Sequence, residues 1–554
     1  MTYIYRNVLE TEKPAVIERN VAIAMRDGVV IRADVFRPEG DGPFPALYAV
    51  SPYNKDLASL PPIPSFRSRE AGNIGRWVDQ GYAFIHADVR GTGQSLQGQF
   101  LFSSKEEQYD MYDTIEWIAA QPWSSGKVGM IGESYYGGPQ WLAAATEPPH
   151  LSCIVPYDAF FDMYRDGIYH GGICSIGFMG WWTFKTSSLT YLEHPPGLPD
   201  DLGGVQIPGL VLSRRLYDAF WEERSAFAKA KRIKTPFYSI SNWMQAGLHL
   251  RGNLLAFETV DAPKKLLITG GNNHQSSLEV FHSDEVHAEL TRWYDYWLKG
   301  IDTGIMDEPE VKIWTNNKGY YASNVWPPSD VEHWSLYLSG EKADAVASLN
   351  DGSLSWDTPT ADEAATTFPY PHPQWGGWPG FGTAIPTETG MDPVASICTY
   401  TSPPLEEDVE VTGPIALTLY LSSDQVDADV IVKMYDIDAE GNYNIYRPVS
   451  RGWLKASHRA LDPERSTPAR PFHPHDREEP LEPHEVYELQ IEILPTSHMF
   501  AKGHRICLFV ANGDSPVFDM PFSHHYGSKI GIDRYHHDRA RPSHLLLPVR
   551  RTVG

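Results

Sequence analysis

Apolar runs of strand length alternate along the first half of the chain with stretches whose apolar residues recur at helical spacing. Val21–Pro38 divides at Asp27-Gly28, a hairpin signal, into two strands. Ala46–Pro52 and Tyr82–Asp88 are further strand-type runs, and Glu107–Ala120 spaces Tyr, Ile and Trp as a helix does before Gln121-Pro-Trp-Ser stops it. Lys127–Ile131 predicts a strand, Gln140–Ala145 a helix and Leu151–Pro156 the next strand. The rhythm resumes later with Pro236–Ser241, Lys264–Gly270 and a helix over Glu285–Lys299 that Gly300 caps. Strands and helices in this alternation predict an α/β fold with a doubly wound parallel sheet.

Two other regions break the pattern. From Phe160 to about Arg232 aromatic residues and glycine dominate, among them Phe160, Phe161, Tyr164, Tyr169, Phe178, Trp181 and Trp182. This predicts a mostly helical cap inserted over the sheet, whose rings either line an acyl pocket or form the cap's own core. Beyond about residue 330, short strands such as Ile415–Leu421, Ala428–Tyr435, Val486–Ile493 and His504–Val510 are separated by turns, the pattern of an all-β sandwich or jelly roll. Thr358–Pro393 and Arg459–Pro483 are long and irregular, and loops of that length wrap a surface or complete a site. The expected domains are residues 1–158 with 233–330, the cap at 159–232, and the β domain at 331–554.

A length of 554 residues exceeds what one core can organise. Forty-six basic against 71 acidic residues, a net charge of −25, argues against nucleic acid or an anionic membrane as partner. No apolar run approaches the ~20 residues that span a bilayer, and the first residues lack the pattern of a signal peptide, so a soluble, cytoplasmic protein is expected. The four cysteines are scattered, which favours free thiols over a disulfide framework or zinc site. His524-His525 and His536-His537-Asp538 lie in what reads as a polar, loop-rich tail, and neither is taken as a metal site. No cofactor-binding motif is present.

The chemistry centres on Gly132-Glu-Ser-Tyr-Tyr-Gly137, between a predicted strand and a predicted helix. A strand that turns sharply into a helix through Gly-x-Ser exposes the serine hydroxyl above the helix start, which makes Ser134 the candidate nucleophile. The usual second glycine comes one place late, with Tyr136 where it is expected. A serine hydroxyl needs a base, and in chain order the histidine follows a late strand. His274, in Gly270-Gly-Asn-Asn-His274, fits; His249 and His282 are neighbours that do not directly follow a strand. The triad acid is expected near 242–245, but Ser241-Asn-Trp-Met-Gln245 holds no carboxylate. Either the acid has moved to the preceding strand end, at Asp158 or second at Asp162, or Gln245 orients the histidine, or the site is inactive. The N–H of Tyr135 supplies one oxyanion donor, and Tyr53, in the early loop, offers a phenolic O–H as the second.

These residues resemble the cocaine esterase / X-Pro dipeptidyl-peptidase-like hydrolases, which also include α-amino acid ester hydrolases. Arg26–Pro38 resembles the family's opening hairpin, and Ser51-Pro-Tyr53 the loop whose tyrosine serves the oxyanion. Asp88-Val-Arg-Gly-Thr-Gly-Gln-Ser95 and Gly132–Gly137 resemble its most distinctive motifs, and the late glycine is normal for it. Gly452–Arg459 and Gly503-His-Arg505 resemble segments of its C-terminal jelly roll. The resemblance implies an α/β-hydrolase domain with inserted cap and jelly roll, with Ser134 as nucleophile, His274 as base, and Tyr53 with the Tyr135 N–H as oxyanion hole. It leans towards a homodimer. Gln245 stands where the family pattern W-x-D places the aspartate. The expected activity is cleavage of a small-molecule carboxylic ester or amide, the rivals being acyl transfer from the same acyl-enzyme and a catalytically silent binding protein.

Overall fold

The structure, a computed structural model, describes residues 8–59, 70–192, 207–270, 277–348, 350–370, 397–514, 523–525 and 530–550. The first half is built on β1 (Ala15–Ala24), β2 (Val30–Pro38), β3 (Phe44–Ser51), β4 (Ala83–Asp88), β5 (Ser124–Glu133) and β6 (Leu151–Tyr157). Helices α1 (Ile74–Asp79), α2 (Lys105–Ala119) and α3 (Gly138–Ala145) connect them. The cap adds a short hairpin, β7 (Tyr169–His170) and β8 (Ile173–Cys174), then α4 (Phe178–Leu192), α5 (Ile207–Leu212) and α6 (Ala219–Arg224). The sheet resumes with β9 (Phe237–Asn242), α7 (Leu250–Thr259), β10 (Lys264–Thr269), α8 (Ser277–Phe281), α9 (Asp284–Tyr294), β11 (Val311–Thr315) and β12 (Gly319–Ser323).

These strands form one sheet in the order β1-β2-β4-β3-β5-β6-β9-β10-β11-β12. All neighbours from β4 to β11 are parallel, and antiparallel strands close both edges. The inner strands are apolar throughout because both faces are covered; the last six residues of β5 are all buried. The chain runs from β3 out to β4 and returns across β3 to β5. The carboxyl ends of β3 and β5 therefore flank the point where the winding reverses, the place where open parallel sheets bind ligands. β11 and β12 lie beyond the strands expected from sequence, although the alternating burial of Val311-Lys-Ile-Trp-Thr315 is a strand pattern.

The second half holds β13 (Val331–Ser339), β14 (Asn350–Ser355), β15 (Thr366–Tyr370), β16 (Cys398–Thr401), β17 (Val409–Ser423) and β18 (Asp429–Ile437). It continues with β19 (Ser450–Lys455), β20 (Tyr487–Phe500), β21 (Arg505–Ala511), β22 (Gly531–His536) and β23 (His544–Arg550). Pairing of β17 with β23 closes the order β17-β20-β19-β18-β21-β16-β14-β13-β23 on itself, so this β-rich domain is a closed barrel. Closure removes the exposed edges that an open sheet leaves for aggregation. β15 falls inside a stretch that reads as loop; residues 371–393 of that stretch lie outside the described residues.

Each half has its own hydrophobic core, and a small cluster of Ile173, Ile431, Trp453 and Leu494 joins cap to barrel. The irregular stretch 459–483 reinforces that seam: Arg165 of the cap donates to the carbonyls of His473 (3.1 Å) and Pro474 (2.7 Å). The tail histidines differ in burial: His525 is exposed and His536 half-buried on β22, whereas two others are enclosed. His524 is buried, bonded to His170 (2.7 Å) and Asp514 (3.0 Å), and His537 is buried against Glu363 (3.0 Å). No group of three or more metal-ligating side chains among the described residues is arranged to hold an ion. No helix among them is long and apolar enough to cross a membrane.

Candidate active site

Strand β5 delivers Ser134 onto the corner. Its φ is +63°, the left-handed region that a non-glycine residue occupies at a cost of about 1–3 kcal/mol. Backbone bonds hold it there: the Ser134 N–H donates to the Asp158 carbonyl (3.1 Å), and the Gly137 N–H to the Ser134 carbonyl (2.9 Å). Between Val128 and Ala145 only Ser134 is not fully buried. The position of the glycines follows from contacts. A Cβ on Gly132 would fall 2.2 Å from the Cβ of Tyr136, and one on Gly137 would fall 2.6 Å from the Tyr157 carbonyl. Position 136 meets no such obstacle; its ring is buried and its hydroxyl bonds the His86 ring (2.8 Å). The second glycine is thus needed one place later than in the common motif.

Tyr53 follows β3, one strand from Ser134, and is buried. Its hydroxyl accepts a hydrogen bond from the indole N–H of Trp182 (2.8 Å), and its ring packs edge-on against Tyr135 (6.1 Å) and Tyr136 (6.0 Å). The phenol of Tyr135 donates to Glu107 (3.1 Å). Burial first, and then the Glu107 carboxylate, holds that phenol protonated far above its ordinary range. Glu107 also accepts the N–H groups of Leu101 and Ser103, both at 3.0 Å, and completes a capping box with Ser104 at the start of α2. This carboxylate pins a loop in which Phe102 (φ +64°) and Ser103 (φ +61°) are both left-handed. Burial pushes the Glu107 carboxyl up to about 7, against the pull of those N–H donors.

Asp158 sits just past β6 with φ +42°, fully buried. Its carboxylate accepts from the Ser241 hydroxyl (2.6 Å) and from the Asn242 N–H. Burial raises its carboxyl well above the carboxylate range, and those two donors oppose the rise. Asp162 is equally buried but bonded to Arg165 (2.6 Å), so its charge is committed to the cap–barrel seam. Gln245 lies in the turn after β9, where its amide oxygen meets Nδ1 of His249 (3.2 Å). His249 caps α7, and burial pushes its imidazole down to about 3. His282 is buried beside Phe281. His274 lies outside the described residues, in the connection between β10 and α8; Thr269, the last residue of β10, is paired with Asn242 of β9. The connections carrying Ser134, Asp158 and Gln245 all leave the same carboxyl edge of the sheet.

A cleft opens over Ser134. Tyr53, Phe102 and Tyr135 wall it from the sheet side, and Phe160, Phe178 and Trp182 from the cap, with His249 at its margin. The aromatic residues of the cap divide between the two uses expected of them. Phe160, Phe178 and Trp182 face this cavity, whereas Tyr164 stacks on Tyr169 (4.9 Å) and packs on Trp221 (5.5 Å) in the cap's own core. Three features of the site were not drawn from the sequence. Glu107 was legible as the fourth member of Ser104-Lys-Glu-Glu107, a capping-box spacing. The pairing of Trp182 with Tyr53 and the approach of His249 to the cavity are long-range contacts with no local signal.

Comparison with known proteins gives the same architecture. Residues 27–275 match the family model X-Pro dipeptidyl-peptidase (S15 family), and residues 303–546 match the X-Pro dipeptidyl-peptidase C-terminal non-catalytic domain. A Mycobacterium bovis chain named as a candidate serine esterase is 28% identical, over 90% of this chain and 90% of its own. Cocaine esterase of Rhodococcus sp. is 27% identical, over 96% of this chain and 98% of its own. The crystal structure of a CocE/NonD family hydrolase from Staphylococcus aureus superposes with a TM-score of 0.80 at 26% identity, covering 97% of this chain and 94% of that one. The chain is a hydrolase and belongs to the cocaine esterase / X-Pro dipeptidyl-peptidase-like serine hydrolases.

Proposed function

We propose that the chain cleaves a carboxylic ester or amide through an acyl-enzyme on Ser134. The observation that carries this reading is the strained elbow, which presents a partly exposed serine to an aromatic cleft with Tyr53 beside it. Ser134 Oγ attacks the substrate carbonyl carbon as His274 takes its proton. The oxyanion receives hydrogen bonds from the Tyr53 hydroxyl and the Tyr135 N–H, and collapse of the tetrahedral species expels the leaving group with the proton returned by His274. Water, activated by the same imidazole, then releases the acid. Asp158 is the triad acid in this scheme: it is a buried carboxylate at the neighbouring strand end, its carbonyl bonded to the nucleophile's N–H, and Asp162 is committed to Arg165. In the accompanying division of the chain, residues 1–158 and 233–330 are catalytic, 159–232 are the cap, and 331–554 form a β domain of jelly-roll type.

An uncharged acyl group suits the cavity better than the N-terminus of a peptide. Among the described residues lining it there is no carboxylate to pair with a substrate ammonium, and an unpaired buried charge is strongly disfavoured. The test is turnover of p-nitrophenyl esters of short and aromatic acids. Activity that disappears in Ser134→Ala supports the reading, and activity that survives the substitution refutes it. Adding competing amines or alcohols to the same assay separates hydrolysis from acyl transfer by the products formed.

A further inference from the structure

Trp182 belongs to α4 of the cap, yet it touches both residues proposed for the oxyanion hole. Its indole N–H lies 2.8 Å from the Tyr53 hydroxyl, and its ring stacks on that of Tyr135 at 5.7 Å and 15°. It is 4% exposed, and Phe102 fixes its other flank at 5.1 Å. An indole N–H has no lone pair to offer, so the direction of the bond to Tyr53 is settled by chemistry: Trp182 donates and the phenol oxygen accepts. Tyr53 carries one proton, and with the indole occupying one side of its oxygen that proton must be donated in another direction. A hydroxyl that accepts one hydrogen bond is also a stronger donor of the next.

We propose that Trp182 is a positioning residue for oxyanion stabilisation: its N–H orients and polarises the Tyr53 hydroxyl so that the phenolic proton serves the developing negative charge. This rests on the reading of Tyr53 as an oxyanion donor. It makes correct seating of α4 a condition of catalysis, because the sheet supplies the nucleophile while the cap supplies the group that aims the phenol. A tyrosine alone can rotate its proton between acceptors. A tyrosine held by a donor-only partner enters the reaction already oriented, which is the preorganisation that oxyanion stabilisation depends on.

The experiment is a double-mutant cycle of Trp182→Phe and Tyr53→Phe, read as kcat and KM on a p-nitrophenyl ester. Phenylalanine keeps a ring against Tyr135 and removes the N–H. Trp182→Phe is expected to lower kcat about 10-fold, less than loss of a whole donor, with KM changed by under about twofold. In the Tyr53→Phe background the same substitution is expected to change kcat by less than about twofold, because the group it acts through is gone. An equal drop in both backgrounds, an unchanged kcat, or an effect confined to KM overturns the proposal. Should Trp182→Phe fail to fold, 3-benzothienylalanine at position 182 keeps the bicyclic shape, replaces N–H with sulfur, and is judged by the same criteria. Wild-type turnover that persists in Ser134→Ala defeats the reading beneath the proposal; Ser134-dependent turnover with no coupling between Trp182 and Tyr53 defeats the proposal alone.

Discussion

The carboxyl edge of the first sheet and the underside of the cap meet across one cavity but are built by different means. On the sheet side, backbone hydrogen bonds between adjacent parallel strands fix the residues proposed to react: Ser134 N–H to Asp158 carbonyl, Asp158 N–H to Ile240 carbonyl. Such positions tolerate little displacement, because moving one strand breaks a ladder. On the cap side, Phe160, Phe178 and Trp182 reach the cavity through side-chain packing and the bond from Trp182 to Tyr53. Side-chain packing adjusts by rotamer and volume, so this face is suited to setting which acyl group fits. Edge substitutions, and Trp182 through its bond to Tyr53, should therefore act on kcat, and substitutions of Phe160 and Phe178 on relative kcat/KM.

The sharpest way to break this comparison is at the two buried aspartates. Asp158→Asn is expected to lower kcat by about 10⁴-fold with the fold intact, as loss of a triad carboxylate does. Asp162→Asn is expected to leave kcat within a few-fold but to cost about 3–5 kcal/mol of stability, because buried Arg165 loses its carboxylate partner. Steady-state kinetics and thermal melts on both variants decide the matter; a reversed outcome would move the acid to the cap. Next in size is Tyr53→Phe, expected to cost about 10²–10³-fold in kcat with KM little changed. On the cap side, Phe160→Ala should shift the ratio of kcat/KM between aromatic and short acyl esters by about 10-fold while S134-dependent turnover remains.

The smallest expected effect on catalysis is that of Glu107→Gln, which retains an acceptor for the loop N–H groups. Its clearer signature is pH-dependent stability. A carboxyl raised from 4.5 to about 7 in the native state binds a proton there that the unfolded chain has released. The contribution of Glu107 to stability therefore declines as pH rises through that window, and the variant should melt with a flatter pH profile between those values. A profile identical to the wild type would mean that Glu107 does not titrate differently on folding.

What could be read from the chain follows this same division. The parallel strands and the elbow at Ser134 were legible because each is a local pattern, an apolar run and a turn; the late Gly137 read as a departure from the usual motif that only the family resemblance accounted for, and the close approach that requires it is a long-range contact. The cap was recognisable as an aromatic insertion, but which rings face the cavity was not, since Phe160 and Phe161 are adjacent and yet go to the cavity and to the packing around Trp141. The barrel was harder. β13, β14, β22 and β23 carry polar residues between apolar ones, and pairings as distant in sequence as Val331 with Arg550 leave no short-range signal. The vacancy of a carboxylate at Gln245 was evident; that Asp162 is held by Arg165 while Asp158 lies against the elbow required the fold.

The central claim is that Ser134 on its strained corner is a reactive nucleophile. Treatment of the folded protein with a fluorophosphonate, followed by intact mass and peptide mapping, measures this directly. One adduct located on Ser134, and absent from Ser134→Ala, is the predicted result. A folded protein that takes no label, or takes it at another serine in both forms, would contradict the account.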